Sequence, residues 1–145
     1  MKKIILKGHK GIGGVAEGEA VVTKDPISYM SDVGGMWLEP LSHKVTNRGS
    51  LPELYGQDLS GKVLVFPTGK GGIFSTPMLM CLTKHGIGLK AMINVKTHPV
   101  FLMASILADI PTVDELDQNP LEVIETGDWV KVDAEKGVVE VTKKK

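Results

Sequence analysis

Residues 62–80, KVLVFPTGKGGIFSTPMLM, decide the fold predicted for this chain. The stretch opens with four apolar residues at 63–66, which is typical of a strand covered on both faces. Pro67 ends this run because proline has no N–H group to donate to a sheet. The glycine-rich turn at 69–72 allows the backbone to bend sharply and to approach a ligand closely. A helical pattern follows, so the stretch predicts a strand, a turn and a helix.

The glycine-rich turn carries the groups that an anion site needs. Lys70 brings a positive charge, and the free N–H groups and the dipole of the following helix point the same way. Ser75 or Thr76 is expected to cap that helix, and either hydroxyl is a candidate for proton transfer. The turn is not a phosphate-binding loop of the Walker type, because its lysine lies among the glycines. Two interpretations stay open: a site for a carboxylate or phosphate, and a structural turn.

The segment from Lys62 to Val113 predicts a parallel α/β unit. Apolar runs at 89–95 and 110–113 give two further buried strands, and helical spacing precedes each of them. The order is therefore strand–helix–strand–helix–strand, whose strands must be parallel because helices connect them. The following side chains of the two helices are expected to face the core: Met78, Leu79, Met80, Cys81, Leu82, Leu102, Met103, Ile106 and Leu107.

The two ends of the chain predict a second, antiparallel β layer. Strand patterns occupy residues 3–7 and 15–25, and 129–141 has the alternation and central turn of a β-hairpin. The fold class expected is α/β, with the parallel unit packed against a small barrel-like or sandwich layer. With 145 residues, the whole chain, 1–145, is expected to form a single domain.

Composition excludes several classes of protein. The 17 Lys and Arg residues balance the 17 Asp and Glu residues, which argues against a nucleic-acid or membrane-surface protein. No stretch is long and apolar enough to span a bilayer, and the start resembles a strand more than a signal peptide. Cys81, the single cysteine, cannot form an internal disulfide or hold an iron–sulfur cluster. The single cysteine fits a reducing cytoplasm, so a cytoplasmic location is predicted. The four histidines lack metal-ligand spacing, so no metal site is predicted.

Several motifs in this order resemble the small subunit of the aconitase X family, which corresponds to the swivelling β/β/α domain of aconitase-like hydro-lyases. The resemblance covers nearly the whole chain, and the order and spacing of the motifs make it specific. The motifs are AEGEAVV at 16–22, YGQDLSGKVLVFP at 55–67, GKGG at 69–72, KAMINVKT at 90–97, ILADIPTV at 106–113 and GDWVKVDAEKGVVEV at 127–141.

The resemblance implies a heteromeric dehydratase that eliminates water from a hydroxylated carboxylic acid. In this family a large subunit holds an iron–sulfur cluster, and the small subunit closes over the cleft. A serine of the small subunit's glycine-rich loop removes a proton, and donors of that loop hold the substrate's carboxylate. The implied partners are therefore a large subunit and a small hydroxy acid, with no nucleic acid and no membrane. No cofactor is expected on this chain alone.

The chain departs from the family at the serine that follows the glycine–lysine–glycine turn. Gly72 stands at that place, and Thr76 matches a second hydroxyl position of the family. We therefore predict Ser75, then Thr76, as the catalytic group, and Lys70, Gly71 and Gly72 as the substrate-binding group. Two alternatives stay open. The first is a non-catalytic ligand-binding or interaction module of the same fold, and the second is a stand-alone enzyme that uses a local hydroxyl without a cluster.

Overall fold

A computed structural model describes residues 2–9, 11, 13–33, 42–46, 48–49, 51–70 and 75–144. This part of the chain contains seven strands and four helices. In chain order they are β1 (Lys3–Lys7), β2 (Val15–Val22), α1 (Tyr29–Asp32), β3 (Val63–Phe66), α2 (Ser75–Lys84), β4 (Ala91–Asn94), α3 (Pro99–Ala108), β5 (Thr112–Val113), α4 (Pro120–Val123), β6 (Trp129–Asp133) and β7 (Val138–Thr142).

The strands form one sheet in the order β1-β7-β6-β2-β3-β4-β5. Strands β2 to β5 pair in parallel, and β1, β7, β6 and β2 pair antiparallel. The predicted α/β fold class, its strand–helix–strand–helix–strand unit and its C-terminal hairpin are confirmed. The predicted second β layer is the antiparallel half of the same sheet.

Strand β2 joins the two halves of the sheet. Its first residues, Val15 to Glu19, pair with β6, and its last three, Ala20 to Val22, pair with β3. Gly18 lies near this change of partner, where a Cβ atom would approach the Gly61 carbonyl oxygen to 3.1 Å. The backbone of β2 therefore packs closely against the loop at Gly61, close to where the strand changes partner.

Two apolar cores lie on opposite faces of the parallel strands. Leu64, Phe66 and Met92 pack against α2 and α3. Val63 and Ile93, which alternate with them, join a second core that includes buried residues of β1, β6 and β7. The antiparallel half thus folds over one face of the parallel strands while the helices cover the other, which is why those strands are apolar throughout.

Helix α2 ends in a glycine cap that fixes its length. Gly86 has a φ of +79°, and its N–H group donates to the Thr83 carbonyl at 3.1 Å. The Ile87 N–H group donates to the Leu82 carbonyl at 3.0 Å. This pair of bonds is the Schellman arrangement, in which a residue in the left-handed region closes the last helical turn.

The predicted inward face of α3 is wrong. Phe101, Ala104, Ser105 and Ala108 are buried, whereas the side chains expected inside are exposed: Leu102, Met103, Ile106 and Leu107. Small side chains let α3 pack closely on its neighbours, and Phe101 is the one large side chain on its buried face. Both faces of this helix are apolar, so a prediction from hydrophobicity assigns its larger side chains to the core.

Three smaller expectations also differ from the structure. Met80 and Met103 are exposed, and Cys81 is half-buried where a buried thiol was predicted. Among the described residues, no helix is long and apolar enough to cross a membrane.

Candidate active site

The predicted site lies where β3 ends, at the carboxyl edge of the parallel strands. Two of its predicted residues, Gly71 and Gly72, fall outside the described residues. Lys70 precedes them, and Ser75 and Thr76 follow them at the start of α2. Open parallel sheets bind ligands at this edge, so its location agrees with a binding role.

Residues 68–70 are held by the backbone of Ile27. The Ile27 N–H group donates to the Thr68 carbonyl at 3.2 Å, and the Lys70 N–H group donates to the Ile27 carbonyl at 2.9 Å. Gly69 between them is buried against the ring of Phe101, where a Cβ atom would lie 2.3 Å from a ring carbon. The path of the chain into the glycine-rich turn is therefore fixed by a close backbone contact that only glycine permits.

Lys70 is held near a buried carboxylate. Its Nζ atom lies 3.7 Å from Oδ2 of Asp32, whose side chain is fully buried while that of Lys70 is partly exposed. Oδ2 of Asp32 also accepts a hydrogen bond from the Ser28 N–H group at 2.8 Å. Asp32 thus sets the direction of the lysine at the mouth of the turn. Sequence reasoning missed Asp32 because it lies in a stretch that showed no periodicity.

Ser75 is a buried residue inside helix α2. Its Oγ atom accepts a long hydrogen bond, 3.4 Å, from the N–H group of Tyr29. The hydroxyl therefore contacts the start of α1, whereas Lys70 contacts Asp32 at the end of the same short helix. Lys70 and Ser75 are thus both anchored on α1.

Thr76 has a different partner. Its hydroxyl donates to the Val100 carbonyl at 3.2 Å and so ties the start of α2 to the start of α3. Both Ser75 and Thr76 are helical, and their hydroxyl bonds go to other segments. The expectation that one of them caps α2 is therefore wrong.

Tyr29 links Ser75 to a buried histidine. Its hydroxyl lies 3.0 Å from Nε2 of His43, and Nδ1 of His43 lies 2.6 Å from the Ile87 carbonyl oxygen. Because a carbonyl can only accept, Nδ1 carries the proton and Nε2 accepts from the tyrosine hydroxyl. Burial lowers the pKa of His43 and outweighs the opposing effects of the Ile87 carbonyl and Asp58. Burial also raises the pKa of the Tyr29 hydroxyl, so this pair is neutral near pH 7.

Asn94 gives the same edge of the sheet a buried acceptor. Its amide nitrogen donates to the Phe66 carbonyl at 3.2 Å, which joins the last residues of β3 and β4. Its Oδ1 atom has no hydrogen-bond partner among the described residues. An unsatisfied buried polar atom costs free energy, so a ligand that donates a hydrogen bond to Oδ1 of Asn94 would be stabilised in the site.

The described residues offer little for a metal or cluster. His9, Asp114 and Glu115 hold potential ligand atoms within 4.8 Å of one another. Nδ1 of His9 lies 3.9 Å from Oδ1 of Asp114 and close to Oε2 of Glu115. His9 and Glu115 are exposed and Asp114 is half-buried, and exposed acidic groups often lie near one another without a metal. Cys81 is the single cysteine of the sequence. The residues of this chain therefore do not fit an iron–sulfur cluster, which needs several thiolates.

The fold and this edge together define a swivel-type β/β/α domain. The family model of the aconitase X swivel domain matches residues 5–141. The chain therefore belongs to the aconitase X swivel domain family, as its motifs predicted.

Full-length relatives support the same class. The chain is 40% identical to a phosphomevalonate dehydratase small subunit of Methanocella arvoryzae, covering 94% of this chain and 98% of the relative. It is 38% identical to one of Thermococcus kodakarensis, covering 94% and 95%. The crystal structure of holo-form Thermococcus kodakaraensis aconitase X superposes with a TM-score of 0.84 at 36% identity, covering 97% and 99% of the two chains. These findings confirm the predicted class, a small subunit of an aconitase X-type dehydratase, which is a hydro-lyase.

Proposed function

We propose that this chain completes the active site of a phosphomevalonate dehydratase, together with a large subunit that carries an iron–sulfur cluster. The observation that carries the proposal is Lys70, held by Asp32 on α1, the helix whose Tyr29 N–H group also contacts Ser75 at the start of α2. Dehydratase small subunits match 94% and 100% of this chain. The substrate has a carboxylate, a hydroxyl and a phosphate, and a lysine beside free helical N–H groups suits either anion.

The glycine-rich turn acts as the anion-binding element. Lys70 contributes charge, and the backbone N–H groups of Gly71 and Gly72 contribute hydrogen bonds to an acidic group of the substrate. Asp32 keeps the lysine in place, because a buried carboxylate restricts where the ammonium group lies. Bound in this way, the substrate presents the carbon next to its carboxylate to the start of α2.

Ser75 is the proposed proton-transfer group, and Thr76 is the second candidate. The hydroxyl proton of Thr76 is committed to the Val100 carbonyl, whereas among the described residues Ser75 accepts a long bond from the Tyr29 N–H group and donates none. In its alkoxide form, which Lys70 would stabilise, Ser75 takes the proton from carbon. The electron pair left on that carbon forms the double bond as the neighbouring C–O bond breaks. The hydroxide that leaves becomes water by taking up the proton that Ser75 received, which restores the alkoxide.

The cluster belongs to the partner in this proposal, since this chain has one cysteine. A cluster supplies a metal centre that assists departure of the hydroxyl, and this chain supplies the binding and proton-transfer groups. The single domain over 1–145, the cytoplasmic location and the absence of a nucleic-acid partner stay predictions.

The roles of the two hydroxyls are tested in the complex with the large subunit. Ser75→Ala should lower kcat by orders of magnitude with little change in KM, because a catalytic group acts in the transition state. Thr76→Val, the matched control, should keep most of the turnover. Wild-type turnover in the Ser75→Ala complex would remove Ser75 from the mechanism.

A non-catalytic module is the second candidate function. Gly72 at the family serine position favours it, and so do the structural contacts that Ser75 and Thr76 make. Such a module would bind the large subunit and the anion, yet the complex would produce no dehydrated product.

A further inference from the structure

The outer face of the helical layer is apolar. Ten large apolar side chains are exposed among the described residues, and six of them lie on α2, on α3 or just after β4, with exposed fractions of 38–56%. They are Met80, Val95, Leu102, Met103, Ile106 and Leu107. Helix α3 contains no charged residue between Pro99 and Ala108.

These side chains form one continuous stripe, which we call the α3 face. Pro99 lies three and four positions before Leu102 and Met103, and Ile106 and Leu107 follow after another turn, so all five share one side of the helix. The stripe begins at a pocket of 420 Å³ lined by Pro67, Thr68 and residues 95–99. It ends at a second pocket, lined in part by Met80, Cys81 and Leu107.

The opposite side of the molecule shows what a solvated face of this chain looks like. On the antiparallel half, Lys131 lies between Glu17 and Glu140 in register, and Lys3 pairs with Glu140 at 3.1 Å. Alternating charges of this kind suit water. The α3 face has none of them, so solvent is not the environment that its composition fits.

The α3 face is large enough to supply part of a protein interface. Six large side chains about half exposed amount to roughly 500 Å² of apolar surface, the upper range of the largest patch on an ordinary monomer. A stable complex buries about 800 Å² on each partner, so this face supplies more than half of that area. The pocket at its start can receive an anchoring side chain, as the centres of interfaces do.

The α3 face is continuous with the candidate active site. The bond from Thr76 to the Val100 carbonyl joins the starts of α2 and α3, and Pro67 and Thr68 connect β3 to the glycine-rich turn while lining the pocket. A partner that completes the site must contact this edge of the sheet. The same partner then lies next to the beginning of the stripe.

We propose that the α3 face is the docking surface for the large subunit, an inference that rests on the proposed function. The large subunit presents an apolar surface with an anchor for the 420 Å³ pocket. This contact aligns the start of α2 with the partner's half of the site. A second copy of this chain is the rival occupant, and it is disfavoured because it would leave the site incomplete.

The test compares two double variants in binding to the aconitase X-type large subunit of the same organism. Met103→Lys with Ile106→Lys places two charges at the centre of the α3 face. Ile5→Lys with Val15→Lys, the matched control, changes two similarly exposed apolar residues of the antiparallel half. We expect the dissociation constant to rise at least about 100-fold for the first pair and less than about threefold for the control.

Hydroxyl-radical footprinting of the wild-type complex gives a readout that needs no variant. Met103, 56% exposed, should be oxidised several-fold more slowly in the complex, whereas Trp129, 49% exposed on the antiparallel half, should react unchanged. Unchanged oxidation of Met103 in a formed complex would overturn the proposal even if the lysine variants fail to fold.

The remaining outcomes separate the two proposals. If the Met103→Lys, Ile106→Lys variant binds the large subunit as tightly as the wild-type chain does and the complex is active, the docking surface is contradicted and the proposed function is not. If the isolated wild-type chain forms a homodimer, the variant is monomeric, and binding to the large subunit is unaffected, then the α3 face binds a second copy of the chain. This outcome also contradicts the docking surface. Failure of the wild-type chain to bind the large subunit overturns the proposed function and the docking surface together.

Discussion

Lys70 owes its position to a carboxylate that is distant in sequence. Asp32 is fully buried, and a buried carboxylate is tolerated only where charge and hydrogen bonds compensate its lost hydration. The Ser28 N–H group supplies one such bond, and Lys70 supplies the opposite charge. The pair therefore fixes a cation at the edge of the sheet where an anionic substrate is proposed to bind.

Replacing Lys70 tests its role as an anion-binding group. Lys70→Ala should raise KM for the proposed substrate, phosphomevalonate, about 10- to 100-fold, because a hydrogen bond to a charged group contributes roughly 1.5–3 kcal/mol. Lys70→Arg, which keeps the charge, should lose less. Steady-state kinetics of the complex gives both values, and an unchanged KM in Lys70→Ala would exclude the lysine from substrate binding.

His43 makes the stability of the fold depend on pH. Burial lowers its pKa in the folded chain, whereas the unfolded chain keeps the ordinary value of 6.5. Below pH 6.5 the unfolded state therefore binds the proton first, and the free energy of unfolding should fall as pH falls, by up to about 1.4 kcal/mol per unit. Above pH 6.5 this contribution is constant.

Denaturation between pH 5.5 and 7.5 measures this effect. His43→Gln should flatten the dependence because glutamine does not titrate, while His85→Gln, at an exposed histidine, should leave it unchanged. An equal slope in the wild-type and His43→Gln proteins would show that another group controls the acid sensitivity.

At the scale of elements, the entry to the glycine-rich turn depends on contact with α3. Gly69 lies against Phe101, whose ring also packs edge-on against Phe66 with centroids 5.4 Å apart. The contact joins β3, the turn and α3 in one packed unit. A change in α3 therefore reaches the candidate site through this ring.

Gly69→Ala should destabilise the protein by about 1–3 kcal/mol, since the added methyl group collides with an aromatic ring in a close-packed core. Gly14→Ala is the matched control, because a Cβ atom there meets nothing within 4 Å, and its effect should stay within about 0.5 kcal/mol. Urea denaturation compares them, and equal stabilities of the two variants would contradict the packing described.

Sequence periodicity predicted the order of the helices and strands better than it predicted which face of each helix is buried. The runs at β3 and β4 are apolar throughout, and the glycines and prolines mark where elements end, so the order of elements was accessible. The inward face of α3 was not, because Ala104, Ser105 and Ala108 carry little hydrophobic signal and their burial depends on close helix packing. The contacts of Lys70 with Asp32 and of Ser75 with Tyr29 were also inaccessible, since the tertiary fold alone brings these residues together.

On the scale of the whole molecule, the two faces of the chain differ in kind. The antiparallel half presents paired charges, and the helical half presents the α3 face beside the candidate site. These two faces are expected of a subunit whose antiparallel half is exposed to solvent and whose helical half is covered by a partner. Under the proposed function, its lysine, its two hydroxyls and the backbone N–H groups of the glycine-rich turn contribute half of a dehydratase site.

Reconstitution tests this account most directly. The large subunit and this chain are purified separately and mixed, and the dehydration of phosphomevalonate is followed by mass spectrometry with each subunit alone as the control. We predict product only from the mixture, with a rate that saturates at a fixed ratio of the two subunits. No product from the mixture, or the same rate from the large subunit alone, would contradict the claim that this chain completes the active site.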